Sequence, residues 1–128
     1  MVSEKNNIEF KWNSNFPINS LNIMRGYISV SKDKQNDYLN CFFDAYWKND
    51  YDLSNVENMS KLISDLNIDS EEFFQSIKKQ SVKDKLIKLT TDAFQKEVFG
   101  TPTFIVNNNI FWGQDRLEYA LEEIKKIK

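Results

Sequence analysis

The sequence predicts an α+β protein that is mostly helical, and three observations predict it. Stretches between residues 18 and 98 repeat apolar residues at helical spacing, and Ser/Asp-x-x-Glu capping signatures punctuate them. Near the carboxy terminus, a β-rich stretch is split by consecutive asparagines. The length of 128 residues suits one domain with an ordinary core, and 41% hydrophobic content with three glycines and two prolines argues against long disorder.

Residues 7–12 alternate weakly, which predicts a short extended segment, and Asn13-Ser14-Asn15 then supplies turn chemistry before Phe16-Pro17. A helix is expected from Ile18, with Ile18, Leu21, Met24 and Ile28 sharing one face and Asn19 and Ser20 available to cap it. Gly26 within that pattern costs about 1 kcal/mol of helix propensity relative to alanine, which a close helix contact would justify. The next helix is expected over residues 33–48. There Tyr38, Leu39, Phe42, Phe43, Tyr46 and Trp47 form one broad aromatic face, either core or the wall of a pocket for an aromatic substrate.

Ser54-x-x-Glu57 reads as the cap of a helix carrying Met59, Leu62, Ile63 and Leu66, and Asp69-x-x-Glu72 as that of another carrying Phe73, Phe74 and Ile77. A longer helix from about Val82 places Val82, Leu86, Leu89 and Ala93 in register and is expected to end at Gly100 as a carboxy-terminal cap. Residues 103–106 and 110–112 flank Asn107-Asn108-Asn109 and read as a tight β-hairpin, with Pro102 at the first strand's entrance, where a missing N–H is tolerated. Gly113 breaks the second strand and a last helix starts near Gln114 or Asp115. Its expected buried stripe is Leu117, Ala120, Leu121, Ile124 and Ile127, with Lys125, Lys126 and Lys128 at the negative end of the helix dipole. A two-stranded hairpin alone is marginal in water, so further strands or a covering surface are expected to complete this sheet.

Composition excludes several chemistries. Cys41 is the single cysteine, so neither an intrachain disulfide nor a C-x-x-C redox centre exists in this chain. With no histidine, imidazole acid–base catalysis and the commonest zinc sites are excluded, and no metal is expected. The formal charge of -2 comes from 17 basic and 19 acidic residues without large blocks, which points away from nucleic acid. No apolar run approaches membrane-spanning length and the first ten residues hold no apolar signal core, so a cytoplasmic protein without a membrane partner is the expectation.

The order F-G-T-P-T-F-I-V at residues 99–106 and F-W-G-Q-D-R-L at residues 111–117 resembles the closing segment of the 2-hydroxychromene-2-carboxylate isomerases and the kappa-class glutathione transferases. Both belong to the DsbA-like branch of the thioredoxin superfamily. F-P-I-N-S-L-N-I-M-R at residues 16–25 matches a second motif of the same family. The resemblance implies a single partial DsbA-like domain over residues 1–128, with a helical insertion subdomain at about 18–98 and the thioredoxin-fold hairpin and helix at 99–128. It also implies that the family's amino-terminal strand-helix-strand unit, which carries the catalytic serine, is not represented. Ser14 and Ser20 do not match that serine, and Cys41, inside an apolar face, reads as a small core residue, so no catalytic residue is assigned in this chain.

The same resemblance implies glutathione as cofactor, lying along the backbone of Thr101 before a cis Pro102, with its γ-glutamyl end at Gln114 and Asp115. An unpaired edge at Thr101 offers one N–H and one C=O to an extended peptide, and a carboxylate at Asp115 can pair with an ammonium. Asp115-x-x-Glu118 is equally a capping box, and Arg116 either supports the site or is an ordinary surface arginine. Asn19, Trp12 and Trp112 are candidate substrate-pocket residues, although capping accounts for Asn19 and packing for Trp112 as well. The implied activity is isomerisation of a small aromatic α-keto acid by reversible addition of the glutathione thiolate, incomplete in this chain by itself. The implied partner is a homodimer mate or the missing amino-terminal half. A thiol-disulfide oxidoreductase fragment and a non-catalytic binding or structural module are the alternatives.

Overall fold

The computed structural model describes residues 2–127, which divide into one unit up to Leu86 and another from Ile87. In the first unit a short α1 (Val2–Lys5) precedes α2 (Leu21–Ser29), α3 (Lys32–Trp47), α4 (Val56–Asp65) and α5 (Ser70–Ser76). α2 packs on α3 and α5, α3 on α4, and α4 on α5. Their shared core holds Tyr38, Phe42 and Tyr46 from α3, Leu62 and Ile63 from α4, and Phe73 from α5. The broad aromatic face of α3 is thus split. Tyr38, Phe42 and Tyr46 are buried, whereas Leu39 and Phe43 remain 42% and 56% exposed.

Gly26 decides which face of α2 points inward. A Cβ there would run into the Tyr38 hydroxyl and the Phe73 ring, so α2 approaches both residues where it has no side chain. That contact turns Ile23 and Gly26 toward the core and leaves Leu21 and Met24, expected on the buried face, 42% and 51% exposed. The helix starts at Leu21, later than expected, with the Asn19 Oδ1 accepting from the Leu21 N–H at 3.0 Å, while Ser20 makes no side-chain cap.

Residues 8–12, within the segment expected to be extended, carry no regular secondary structure. The Lys11 N–H donates to the Trp47 carbonyl at 2.7 Å, and Phe10 and Trp12 gather with Phe16 around the Trp47 ring. The cap of α4 also differs: Asn55, not Ser54, accepts from the Asn58 N–H at 3.2 Å, because the Asp52 side chain engages Ser54 in a preceding turn. Asp69 caps α5 as expected, accepting from the Glu72 N–H at 2.9 Å.

α6 (Gln80–Gln95) buries none of its side chains fully, and Leu89 is 50% exposed. It ends before Gly100. Glu97 takes the left-handed conformation (φ 65), the Val98 N–H donates to the Ala93 carbonyl at 3.0 Å and the Glu97 N–H to that of Phe94 at 2.9 Å, a Schellman end built on a non-glycine residue.

In the second unit β1 (Thr103–Val106) and β2 (Asn109–Trp112) pair antiparallel, with Thr103 opposite Trp112 and Val106 opposite Asn109. Asn107 (φ 51) and Asn108 (φ 65) form a two-residue type I′ turn, so Asn109 joins the strand instead of the loop. A 3-10 turn, Gln114–Arg116, leads into α7 (Leu117–Lys125), which packs on both strands. Asp115 lies inside that turn and does not cap α7, whose preceding residue is Arg116. The stripe expected to be buried is covered at Ala120 alone. Leu117, Leu121, Ile124 and Ile127 are 42–55% exposed, since two four-residue strands span too little area to cover a nine-residue helix. Lys125 and Lys126 stand at the end of α7, and Lys128 lies outside the described residues. No described helix is long and apolar enough to cross a membrane.

Candidate functional site

The chemistry-bearing residues of the second unit converge on the loop into β1. The Gly113 N–H donates to the Pro102 carbonyl at 2.9 Å, which extends the hairpin ladder by one bond and brings the end of β2 beside the entrance of β1. The Thr103 hydroxyl closes the loop by donating to the Gly100 carbonyl, and the Trp112 indole lies against Gly100 so closely that a Cβ there would meet its Nε1. Phe99 flanks the same indole with ring centroids 5.2 Å apart. Gly100 is therefore needed for close approach, not for ending a helix. The Thr101–Pro102 bond is cis, as is Phe16–Pro17.

Thr101 is exposed, and among the described residues no hydrogen bond reaches its backbone N–H or C=O. Across the Gly113–Pro102 bond sits the 3-10 turn carrying Gln114 and Asp115, both exposed. Gly113 permits that turn through a positive φ of 97, and its α-carbon faces the carboxylate: a Cβ there would lie 2.6 Å from the Asp115 Oδ1. Arg116 turns away onto α7, with its guanidinium 5.6 Å from the centroid of the Tyr119 ring. Thr101 and Pro102 on one side of the Gly113–Pro102 bond and Gln114 and Asp115 on the other are all exposed. They offer a free peptide group and a free carboxylate, which suit an extended ligand bearing an ammonium.

Trp12 and Asn19 belong to the first unit. Asn19 is used as the cap of α2, and Trp12, 60% exposed, packs on Phe16 at 4.7 Å and Trp47 at 5.7 Å. An apolar groove of about 470 Å³ runs beside them, walled by Phe16, Met24, Leu39, Phe43 and Trp47; neither Trp12 nor Asn19 lines it. It accounts for the exposed half of the α3 aromatic face. Among the described residues no cluster of His, Cys, Asp or Glu could hold a metal ion.

Asn13 carries the architecture around this groove and is read from sequence as turn chemistry only. It is 1% exposed; its Nδ2 donates to the Tyr46 and Tyr51 carbonyls at 2.9 Å each, and its Oδ1 accepts from the Asn15 N–H at 2.7 Å. Nearby, the Asp50 carboxylate accepts from the Ser14 N–H and hydroxyl, which holds its pKa below the ordinary carboxylate value. Nothing in a local apolar period signals either role, because both partners lie more than thirty residues away.

A family model for the DSBA-like thioredoxin domain matches residues 1–125. Among curated relatives, the 2-hydroxychromene-2-carboxylate isomerase of Sphingobium xenophagum is 24% identical over 88 residues, covering 69% of this chain and 45% of that protein. The enzyme of the same name from Pseudomonas sp. (strain C18) is 29% identical over 92 residues, covering 71% and 43% respectively. The matched regions thus span less than half the length of these relatives. A solved selenomethionine structure of 2-hydroxychromene-2-carboxylate isomerase superposes with a TM-score of 0.81 at 21% identity, covering 98% of this chain and 61% of that one. With the family model spanning nearly the whole sequence and the fold shared, the chain belongs to the DSBA-like thioredoxin domain family.

Proposed function

We propose that this chain is the helical and carboxy-terminal part of a glutathione-dependent isomerase of the 2-hydroxychromene-2-carboxylate type. The observation that carries the reading is the Gly113–Pro102 hydrogen bond, which holds the unpaired Thr101 backbone beside the exposed Gln114-Asp115 turn. The relatives' shared name supports an isomerase-like role.

Thr101 would bind the cysteinyl backbone of glutathione as an added strand, with Pro102 shaping the entrance. The Asp115 carboxylate would pair with the γ-glutamyl ammonium and the Gln114 amide would hydrogen-bond the same end. Glutathione, when bound, would supply the thiolate for isomerising a small aromatic α-keto acid. No residue of this chain is assigned to activating it, so the hydroxyl for that task would come from an amino-terminal strand-helix-strand unit or a second subunit. The two-stranded sheet and the exposed Leu121, Ile124 and Ile105 favour such a partner, because added strands would extend the sheet and a partner surface would take these side chains out of water. A cytoplasmic setting accords with this cofactor.

Calorimetric titration of the 128-residue chain with glutathione, beside Asp115→Ala and with size-exclusion chromatography of the same samples, tests the reading. Saturable binding that weakens about tenfold or more in the variant is expected for a lost charge pair. No binding by a folded sample, alone or with the amino-terminal half added, would reject the site.

A further inference from the structure

A different cavity of the first unit, about 640 Å³, is walled by α2, α4, α5 and the start of α6. Three cations line it, Arg25, Lys78 and Lys83, and no carboxylate does. None of the three forms an ion pair among the described residues. The Arg25 Nε is buried and has no hydrogen-bond partner there, a costly state for a charged donor. The remaining wall is largely apolar. Leu21 and Val56, 42% and 63% exposed, stand with half-buried Phe74 in the same lining.

We infer that this cavity binds a small amphiphilic oxyanion, a carboxylate or phosphate head on an apolar body. The head meets Arg25, whose planar fork matches an oxyanion, with Lys78 and Lys83 adding charge; the body covers Leu21, Val56 and Phe74. Both demands arise from one wall: uncompensated positive charge with an orphaned donor, and apolar surface left open. A neutral hydrophobe meets only the second, and inorganic phosphate only the first. The inference does not rest on the isomerase reading, since every residue it uses lies in the helical unit.

Titration of the full chain with octanoate and with octyl phosphate, against 1-octanol and inorganic phosphate as controls, tests it. Saturable binding of at least one octyl anion is expected, with 1-octanol and inorganic phosphate failing to saturate, and with affinity about tenfold lower or worse in Lys83→Gln and Arg25→Gln. Amide chemical-shift mapping on the unsubstituted protein keeps the test independent of how the variants fold; the anion should shift Asn22, Ser54 and Lys83. Equal binding of 1-octanol, indifference to both charge variants, or shifts centred on the Phe16–Phe43 groove would overturn the inference, as would no saturation by either anion.

Discussion

The Gly113 N–H and the Pro102 carbonyl, 2.9 Å apart, join the two ends of the hairpin and thereby the two halves of the candidate site. Gly113 can make this bond while turning the chain toward Gln114 because it sits at φ 97, ψ 151, a conformation open essentially to glycine. Gly113→Ala should destabilise the fold by roughly 1–3 kcal/mol, and its Cβ should displace the Asp115 carboxylate. Urea unfolding followed by tryptophan fluorescence reads the first effect and glutathione titration the second. A variant with an unchanged midpoint and unchanged binding would refute both.

Gly26→Ala sets two effects against each other. Alanine gains about 1 kcal/mol of helix propensity over glycine, whereas overpacking a fixed core costs roughly 1–3 kcal/mol. The Tyr38 hydroxyl cannot yield easily, since it donates to the Ile23 carbonyl at 2.7 Å and its ring is 1% exposed. Net destabilisation is expected in a denaturant melt, and net stabilisation would show that the Tyr38–Phe73 contact is soft.

Asn13→Ala removes one side chain and strands two carbonyls, the buried one of Tyr46 and the partly buried one of Tyr51. Leaving such groups unsatisfied costs about 1–3 kcal/mol each, so a loss of roughly 2–5 kcal/mol is expected in equilibrium unfolding. A change under 1 kcal/mol, on the order of a surface substitution, would mean that water replaces the amide.

Cys41 provides a pH test. Burial, then the nearby Asp65 and Asp44 carboxylates, raise its thiol pKa above the ordinary value of 9.0. A group whose folded pKa is raised contributes stability that is present below the unfolded pKa and is lost as pH rises through the folded one. The thiolate should therefore form at higher pH in the native protein than in the unfolded chain, and native protein should react more slowly with Ellman's reagent than denatured protein at the same pH. Reaction in urea should be fast. Equal native and denatured rates at pH 8 would contradict the burial.

The legible parts of the fold were those written in short sequence spans. Asp69 and Glu72 announce their helix because cap and donor are three residues apart, and Asn107-Asn108-Asn109 announces a turn because left-handed backbone is an intrinsic tolerance of asparagine, though only the first two adopt it. The family resemblance, too, was carried by contiguous motifs, and Thr101 with Asp115 could be singled out within them. Ser54 misled because Asp52 competes for it two residues upstream, a choice that the capping pattern does not encode.

Sequence by itself thus determined the presence of the six longer helices, the approximate place of the hairpin turn, and that neither imidazole nor paired-cysteine chemistry is available to this chain. Tertiary structure decided which face of each helix is inside, because burial depends on what lies opposite and not on period alone. Gly26 turned α2 toward Tyr38 and Phe73, while the small hairpin left most of the α7 stripe in water. It also decided the distant pairings, Asn13 with Tyr46 and Ser14 with Asp50, and the gathering of Arg25, Lys78 and Lys83 around one cavity. Contacts between residues far apart in the chain form only once packing has set their distance, and local propensity holds no record of them.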